Sequence, residues 1–160
     1  MIDRGFLAEA EELQLRYIAA LDGRDMLGWL GCFSTTSGAY ECITAEGIEQ
    51  NLPMAMMLDD CPARLRDRVK FVTEIWSGTY EDYATRHFVQ RLRGEMIGSQ
   101  SARITSNFLV SYTSAQRHSE ILASGSYVDD IELHDGAALF RSKRAILDTV
   151  TLPRYLVYPI

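Results

Sequence analysis

The change of hydrophobic period at Gly78 constrains this chain more than any other feature. Before Gly78 the apolar residues recur at helical spacing; after it they alternate. Phe6, Leu13, Tyr17 and Leu21 mark one face of a helix predicted from about Gly5 to Leu21, with Glu9, Glu12 and Arg16 on the other. Gly23 suits the end of that helix, and Asp25 suits the cap of a short helix around Trp29. A strand is expected near Ala39 to Thr44. From Glu46 to Met57 no period is readable, because Pro53, Met54, Met56 and Met57 fall close together. Leu58, Leu65, Val69, Val72 and Trp76 predict a second long helix starting at Asp59 or Asp60, with Pro62 in its first turn.

Beyond Gly78 every segment reads as strand. Ile104, Phe108, Val110 and Tyr112 oppose Thr105, Asn107, Ser111 and Thr113, which predicts one buried and one wet face. Ile121, Ala123, Tyr127, Ile131 and Leu133 are expected on one face of the next strand. Asp135-Gly136 is hairpin chemistry leading into a strand from Ala138 to Asp148. Leu152 to Tyr158 suggests another. Helices first and antiparallel strands afterwards predict a single α+β domain over residues 1–160.

That length is sufficient to bury roughly two thirds of the unfolded surface without covalent staples. With 22 acidic and 16 basic residues, the net charge of −6 argues against nucleic acid or an anionic membrane as partner. No apolar run approaches the roughly 20 residues that span a bilayer. Met1-Ile2-Asp3-Arg4 leads onto charged helix rather than an apolar signal segment. Cys32, Cys42 and Cys61 lack metal-ligand spacing, and they read as reduced thiols of a cytoplasmic protein.

The stretch from Arg16 to Phe33, followed by Tyr40-Glu41-Cys42-Ile43, resembles the opening of the NTF2-like (cystatin-like) superfamily. Leu65-Arg66-Asp67-Arg68-Val69, Thr85-Arg86-His87-Phe88-Val89, Ile104-Thr105-Ser106-Asn107-Phe108 and Arg144-Ala145-Ile146-Leu147-Asp148 narrow that resemblance. In order and spacing they are similar to the small (beta) subunits of aromatic-ring-hydroxylating dioxygenases, from about Leu13 to Ile160. The resemblance implies an NTF2-like cone, with N-terminal helices packed on a strongly curved, mixed, mainly antiparallel sheet. It implies a homotrimer joined to three alpha subunits (alpha3beta3), which carry a Rieske [2Fe-2S] cluster and a mononuclear Fe(II). This chain would then have a structural role, with no cofactor of its own. The Leu-Arg-Asp-Arg-Val helix and the Tyr-Pro-Ile ending are most similar to members acting on salicylate, anthranilate or terephthalate.

A Rieske cluster needs paired Cys and His, and no cysteine here has a histidine within three residues. His118-Ser119-Glu120, with His87 or His134 as third ligand, is the one local candidate for a metal, and a polar hairpin edge explains it better. Gly-x-Ser-x-Gly, Gly-x-Gly-x-x-Gly and Walker loops are absent from the sequence. His87 is the remaining candidate. It could act as an acid–base group with a carboxylate such as Asp22, Asp25 or Glu41, which would make the chain a free-standing isomerase or dehydratase. The favoured reading assigns this chain no catalytic, cofactor-binding or metal-ligating residue and treats His87 as a satisfied core histidine. Cys32 and Cys42 read as core, and Met54 to Leu58 as core or an adaptable contact. Arg64, Arg66, Arg68 and Lys70 read as a solvated face or a place for carboxylates across an interface. The apolar tail from Leu152 to Ile160 must pack on this domain or under another chain.

Overall fold

A computed structural model describes residues 2–52 and 54–160. Pro53, one of the residues that obscured the period before Met57, lies outside them.

The first helix, α1 (Arg4–Asp22), starts where the Asp3 carboxylate accepts the Phe6 N–H at 3.1 Å. Gly23 closes it in ordinary right-handed backbone, and the chain turns at Arg24, whose φ is 58°. Asp25 then caps α2 (Met26–Leu30) by accepting the Gly28 N–H at 2.8 Å. Strand β1 (Tyr40–Thr44) leads into α3 (Ala45–Glu49), capped by Thr44, and β2 (Ala55–Asp59) follows. Helix α4 (Pro62–Lys70) runs into a π-helical turn (Phe71–Ile75). Four long strands complete the domain: β3 (Tyr83–Gly98), β4 (Ser101–Ser114), β5 (Ser119–His134) and β6 (Ala137–Leu147).

The six strands form one sheet in the order β2-β1-β6-β5-β4-β3. Only β1 and β6 are parallel, so the sheet is mixed and mainly antiparallel. Asp135 and Gly136 both have positive φ, the two-residue turn that matches strand twist, and they join β5 to β6. The sheet curls around α1, whose Phe6, Leu13, Tyr17 and Leu21 are buried against it.

Several expectations are corrected. Leu58 belongs to edge strand β2, not to a helix, and α4 begins at Pro62 rather than at Asp59 or Asp60. The Met run alternates as a strand does, so Met57 is buried while Met54, Met56 and Leu58 are exposed. Ile121 does not share the face of Ala123. A register shift opposite Val110 and Ser111 places an extra residue in β5, which turns Ile121 outward. Residues 152–158 form no strand. The apolar tail packs on its own domain, where Val157 and Ile160 are buried. The Ile160 main-chain oxygen accepts from the Tyr17 hydroxyl at 2.7 Å and the Tyr40 hydroxyl at 3.1 Å.

The cone is filled. Tyr17, Trp29, Phe33, Tyr40, Tyr127 and Phe140 pack largely edge to face within it. At the centre lies a fully buried ion pair to which the sequence reading assigned no role. Lys143 Nζ stands 2.9 Å from Asp129 Oδ2 and 3.0 Å from Gln14 Oε1. It also lies 3.7 Å from the Tyr127 ring centre and 4.5 Å from those of Tyr17 and Phe140. Burial pushes the lysine pKa down and the aspartate pKa up, each resisted by its partner. Asp129→Ala, which leaves the buried ammonium uncompensated, is expected to cost about 3–5 kcal/mol. Asp129→Leu combined with Lys143→Met should recover most of that loss. Urea-unfolding midpoints of the two variants check this, and a double variant no more stable than Asp129→Ala would contradict it.

Candidate functional site

The only acid–base pair that the sequence proposed and the fold assembles is Asp22 with His87. Asp22 is the last residue of α1, and β3 runs past it as an edge strand. On that strand Thr85 and His87 are two residues apart and both face inward, each under 10% exposed. The carboxylate takes three donors. Asp22 Oδ1 accepts from the Thr85 hydroxyl at 2.9 Å and meets His87 Nδ1 at 2.6 Å, and Oδ2 accepts the His87 main-chain N–H at 3.1 Å.

Burial alone would raise the Asp22 pKa. The hydrogen bonds and charge of His87, joined by Thr85, outweigh burial and hold the carboxyl below its ordinary 3.8. An ionised carboxylate only accepts, so Nδ1 carries the proton facing it. His87 Nε2 is buried and has no partner among the described residues. The His87 side chain is 1% exposed, and none of the five principal clefts is lined by Asp22 or His87. A general base must come within hydrogen-bond reach of the proton it removes. In this arrangement the pair ties the end of α1 to β3, and Arg24 braces the same junction through Asp82 and the Tyr83 carbonyl.

The other candidates lie apart. Asp25 caps α2, and Glu41 pairs with Arg144 at 2.5 Å on the outer side of the sheet. His118 sits at the exposed β4–β5 turn, Glu120 accepts from the Tyr112 hydroxyl at 3.1 Å, and His134 pairs with Glu132 at 2.8 Å. The three histidines therefore occupy three separate places. Among the described residues no three His, Cys, Asp or Glu side chains converge as metal ligands. Burial pushes the Cys32 thiol up to about 11 and the Cys42 thiol up to about 12, which disfavours the thiolate a metal needs. Among the described residues the side chains do not come together as the ligands of an iron–sulfur cluster or an iron site. Arg68 departs from its expected solvated face, since its guanidinium turns inward to grip Asp59 at 2.9 and 3.1 Å. Among the described residues no helix is long and apolar enough to cross a membrane.

A curved, mixed six-stranded sheet wrapped around a long first helix is an α+β fold of the kind the resemblance implied. Comparison narrows the class. The family model described as the ring hydroxylating beta subunit matches residues 16–154, and the chain belongs to that family. It is 29% identical over 150 residues to the anthranilate 1,2-dioxygenase small subunit of Burkholderia cepacia, covering 92% of this chain and 90% of that protein. In structure it is similar to a protein described as the beta subunit of an aromatic-ring-hydroxylating dioxygenase from Novosphingobium aromaticivorans. There the TM-score is 0.82 at 23% identity, over 94% of this chain and 93% of the other. The benzoate 1,2-dioxygenase beta subunit of Burkholderia mallei gives a TM-score of 0.72 at 20% identity, over 92% of each chain.

Asp22→Ala strands three donors and should cost about 1–3 kcal/mol. The pH dependence has a definite sign. The folded carboxyl titrates below 3.8, so its contribution is fully present well above 3.8 and is lost as pH falls through the lower folded value. The gap in urea midpoint between the wild-type protein and Asp22→Asn should therefore be steady at neutral pH and close in acid. A gap that widens in acid would contradict the ionised pair. Separately, elemental mass spectrometry of the purified chain after chelator dialysis should find no stoichiometric iron.

Proposed function

We propose that this chain is the non-catalytic structural beta subunit of a cytoplasmic, multicomponent aromatic-ring-hydroxylating dioxygenase. The observation that carries the subunit role is the family match over residues 16–154. The sealing of the His87 imidazole supports a scaffold over an enzyme, because a proton shuttle needs access that this imidazole lacks. Three copies trimerise and hold three alpha subunits (alpha3beta3), and closed cyclic symmetry is the usual form of such a ring. An obligate assembly of this kind buries on the order of 2,000 Å² or more. The Rieske [2Fe-2S] cluster and the mononuclear Fe(II) reside in the alpha subunits, where oxidation of the ring takes place. Similarity to the anthranilate 1,2-dioxygenase small subunit points to an aromatic carboxylate as substrate of the whole oxygenase.

The second reading, a free-standing isomerase or dehydratase, rests on the same pair, since an oriented imidazole is the ordinary tool of proton transfer. Reconstitution separates the two. The alpha subunit is assembled with wild-type or His87→Ala chain, and hexamer content and turnover per hexamer are measured. On the scaffold reading His87→Ala lowers hexamer yield while turnover per assembled hexamer is unchanged. A fully assembled hexamer whose turnover falls by roughly 100- to 10,000-fold would place His87 in the chemistry.

A further inference from the structure

The tail is held on this domain in the manner of a docked peptide. Residues 148–151 and Pro153 are exposed, whereas Val157, Pro159 and Ile160 are buried. Among the described residues no main-chain-to-main-chain hydrogen bond involves residues 149–160. Pro153 and Pro159 have no N–H to offer a neighbouring strand. Side chains hold the segment instead. The Tyr83 hydroxyl receives the Val157 N–H at 3.3 Å, and the Tyr80 and Tyr158 hydroxyls meet at 2.9 Å. The Arg154 guanidinium donates to the Glu81 main-chain oxygen at 2.9 Å. A segment fastened this way belongs to the low end of local stability, where opening precedes global unfolding.

Its last residue sits in a fork of two hydroxyls. Tyr17 donates to the Ile160 main-chain oxygen at 2.7 Å. Tyr40 donates to the same oxygen at 3.1 Å and accepts the Ile160 N–H at 2.9 Å. The two tyrosines belong to α1 and β1, and rings of the core fix them from behind: Phe33, Tyr127 and Phe140 around Tyr17, and Trp29 beside Tyr40. Burial pushes both hydroxyl pKa values well above the ordinary 10, so both remain proton donors. A tyrosine has one hydroxyl proton, and each of these directs it at Ile160. Lifting the tail strands both donors against aromatic rings, and polar groups in such surroundings are ordinarily paired. The fork therefore calls for an occupant, and the rings around it call for an apolar one.

We propose that residues 149–160 are a releasable strap, and that the place of Ile160 is an exchange site for a neutral, N-acylated apolar amino-acid unit. The carbonyl of that unit takes both hydroxyl protons, its N–H goes to the Tyr40 oxygen, and its side chain replaces that of Ile160. Acylation matters because a free ammonium would be stripped of water in an apolar setting. The unit enters only while the strap is off, so its apparent affinity scales with the open fraction. Neither Asp22 nor His87 takes part, so the site stands or falls independently of the scaffold role.

The test uses the full chain, with N-acetyl-isoleucine methylamide as probe. Amide exchange followed by NMR reads the strap. The Tyr158 and Ile160 amides should exchange at least about tenfold faster than those of Tyr127 and Lys143, with little dependence on urea. Saturable shifts of the Tyr17 and Tyr40 ring signals read the site. Tyr80→Phe removes the bond to Tyr158 without touching the fork. It should speed tail exchange and tighten the probe by the same factor. Tyr17→Phe should speed exchange yet weaken the probe; if that variant does not fold, Tyr80→Phe carries the test. Isoleucine methylamide, with its free ammonium, should bind at least about tenfold more weakly. N-acetyl-Tyr-Pro-Ile-amide separates two sources of the same chemistry: tighter binding assigns the site to a peptide end, equal binding to a small amide. Tail amides that exchange only with global unfolding would overturn the strap. Absence of saturation in Tyr80→Phe, or undiminished binding to a folded Tyr17→Phe, would overturn the site.

Discussion

The Lys143 ammonium, enclosed by Asp129, Gln14 and three aromatic rings, is the contact around which this domain is arranged. A buried charge is tolerated only when its partners are all in place. Those partners come from α1, β5 and β6, so the pair demands that the helix, the sheet and their register be correct together. Asp129 and Lys143 face each other across β5 and β6. They do so only because Arg141 is an extra, unpaired residue in β6; without that shift the turn at Asp135 and Gly136 would set Asp129 opposite Ser142. Beyond the pair, Gly125 lets β5 approach β6 so closely that a Cβ there would collide with the Ile146 carbonyl.

Filling the cone has a functional consequence. The interior that could otherwise receive a substrate holds Tyr17, Trp29, Tyr127, Phe140 and Lys143, and the tail closes over it through Ile160. Arg154 stacks 3.8 Å from the Tyr83 ring centre, and the Tyr83 hydroxyl receives the Val157 N–H at 3.3 Å, so the strap is latched along its length. The His87 imidazole lies inside this structure, while Asp22 at the end of α1 keeps partial exposure. On the proposed scaffold reading, a dyad with the composition of an acid–base site serves as a tie between helix and edge strand, and access rather than residue identity makes the difference.

The surface follows from the same economy of position. Edge strand β2 turns Met56 and Leu58 outward, and β3 at the opposite edge exposes Phe88. Exposed apolar side chains on edge strands suit a subunit better than a monomer. Charged pairs such as Glu41–Arg144 and Arg103–Asp130 occupy the outer face of the sheet between these edges.

The sequence by itself determined the layout. The period switch at Gly78, the Asp25 cap and the Asp135-Gly136 turn are local signals, each set by residues within a few positions, and each is found where the sequence placed it. Family membership was legible for the same reason, in short motifs read in order. What sequence missed is everything that depends on partners far apart in the chain. Ile121 looked buried because alternation carries no mark of a bulge. Leu58 joined the helical count because one apolar residue fits either period. The tail read as strand because apolar content does not reveal that its main chain bonds to tyrosine hydroxyls. Asp22 was one of three possible partners for His87, and only the passage of β3 beside the end of α1 selected it. Lys143 is in phase with the buried Ala145 and Leu147, yet a charged residue on a strand is usually wet. Its burial was decided by the tertiary structure alone, because only there do Asp129, Gln14 and the three rings come together to compensate the charge.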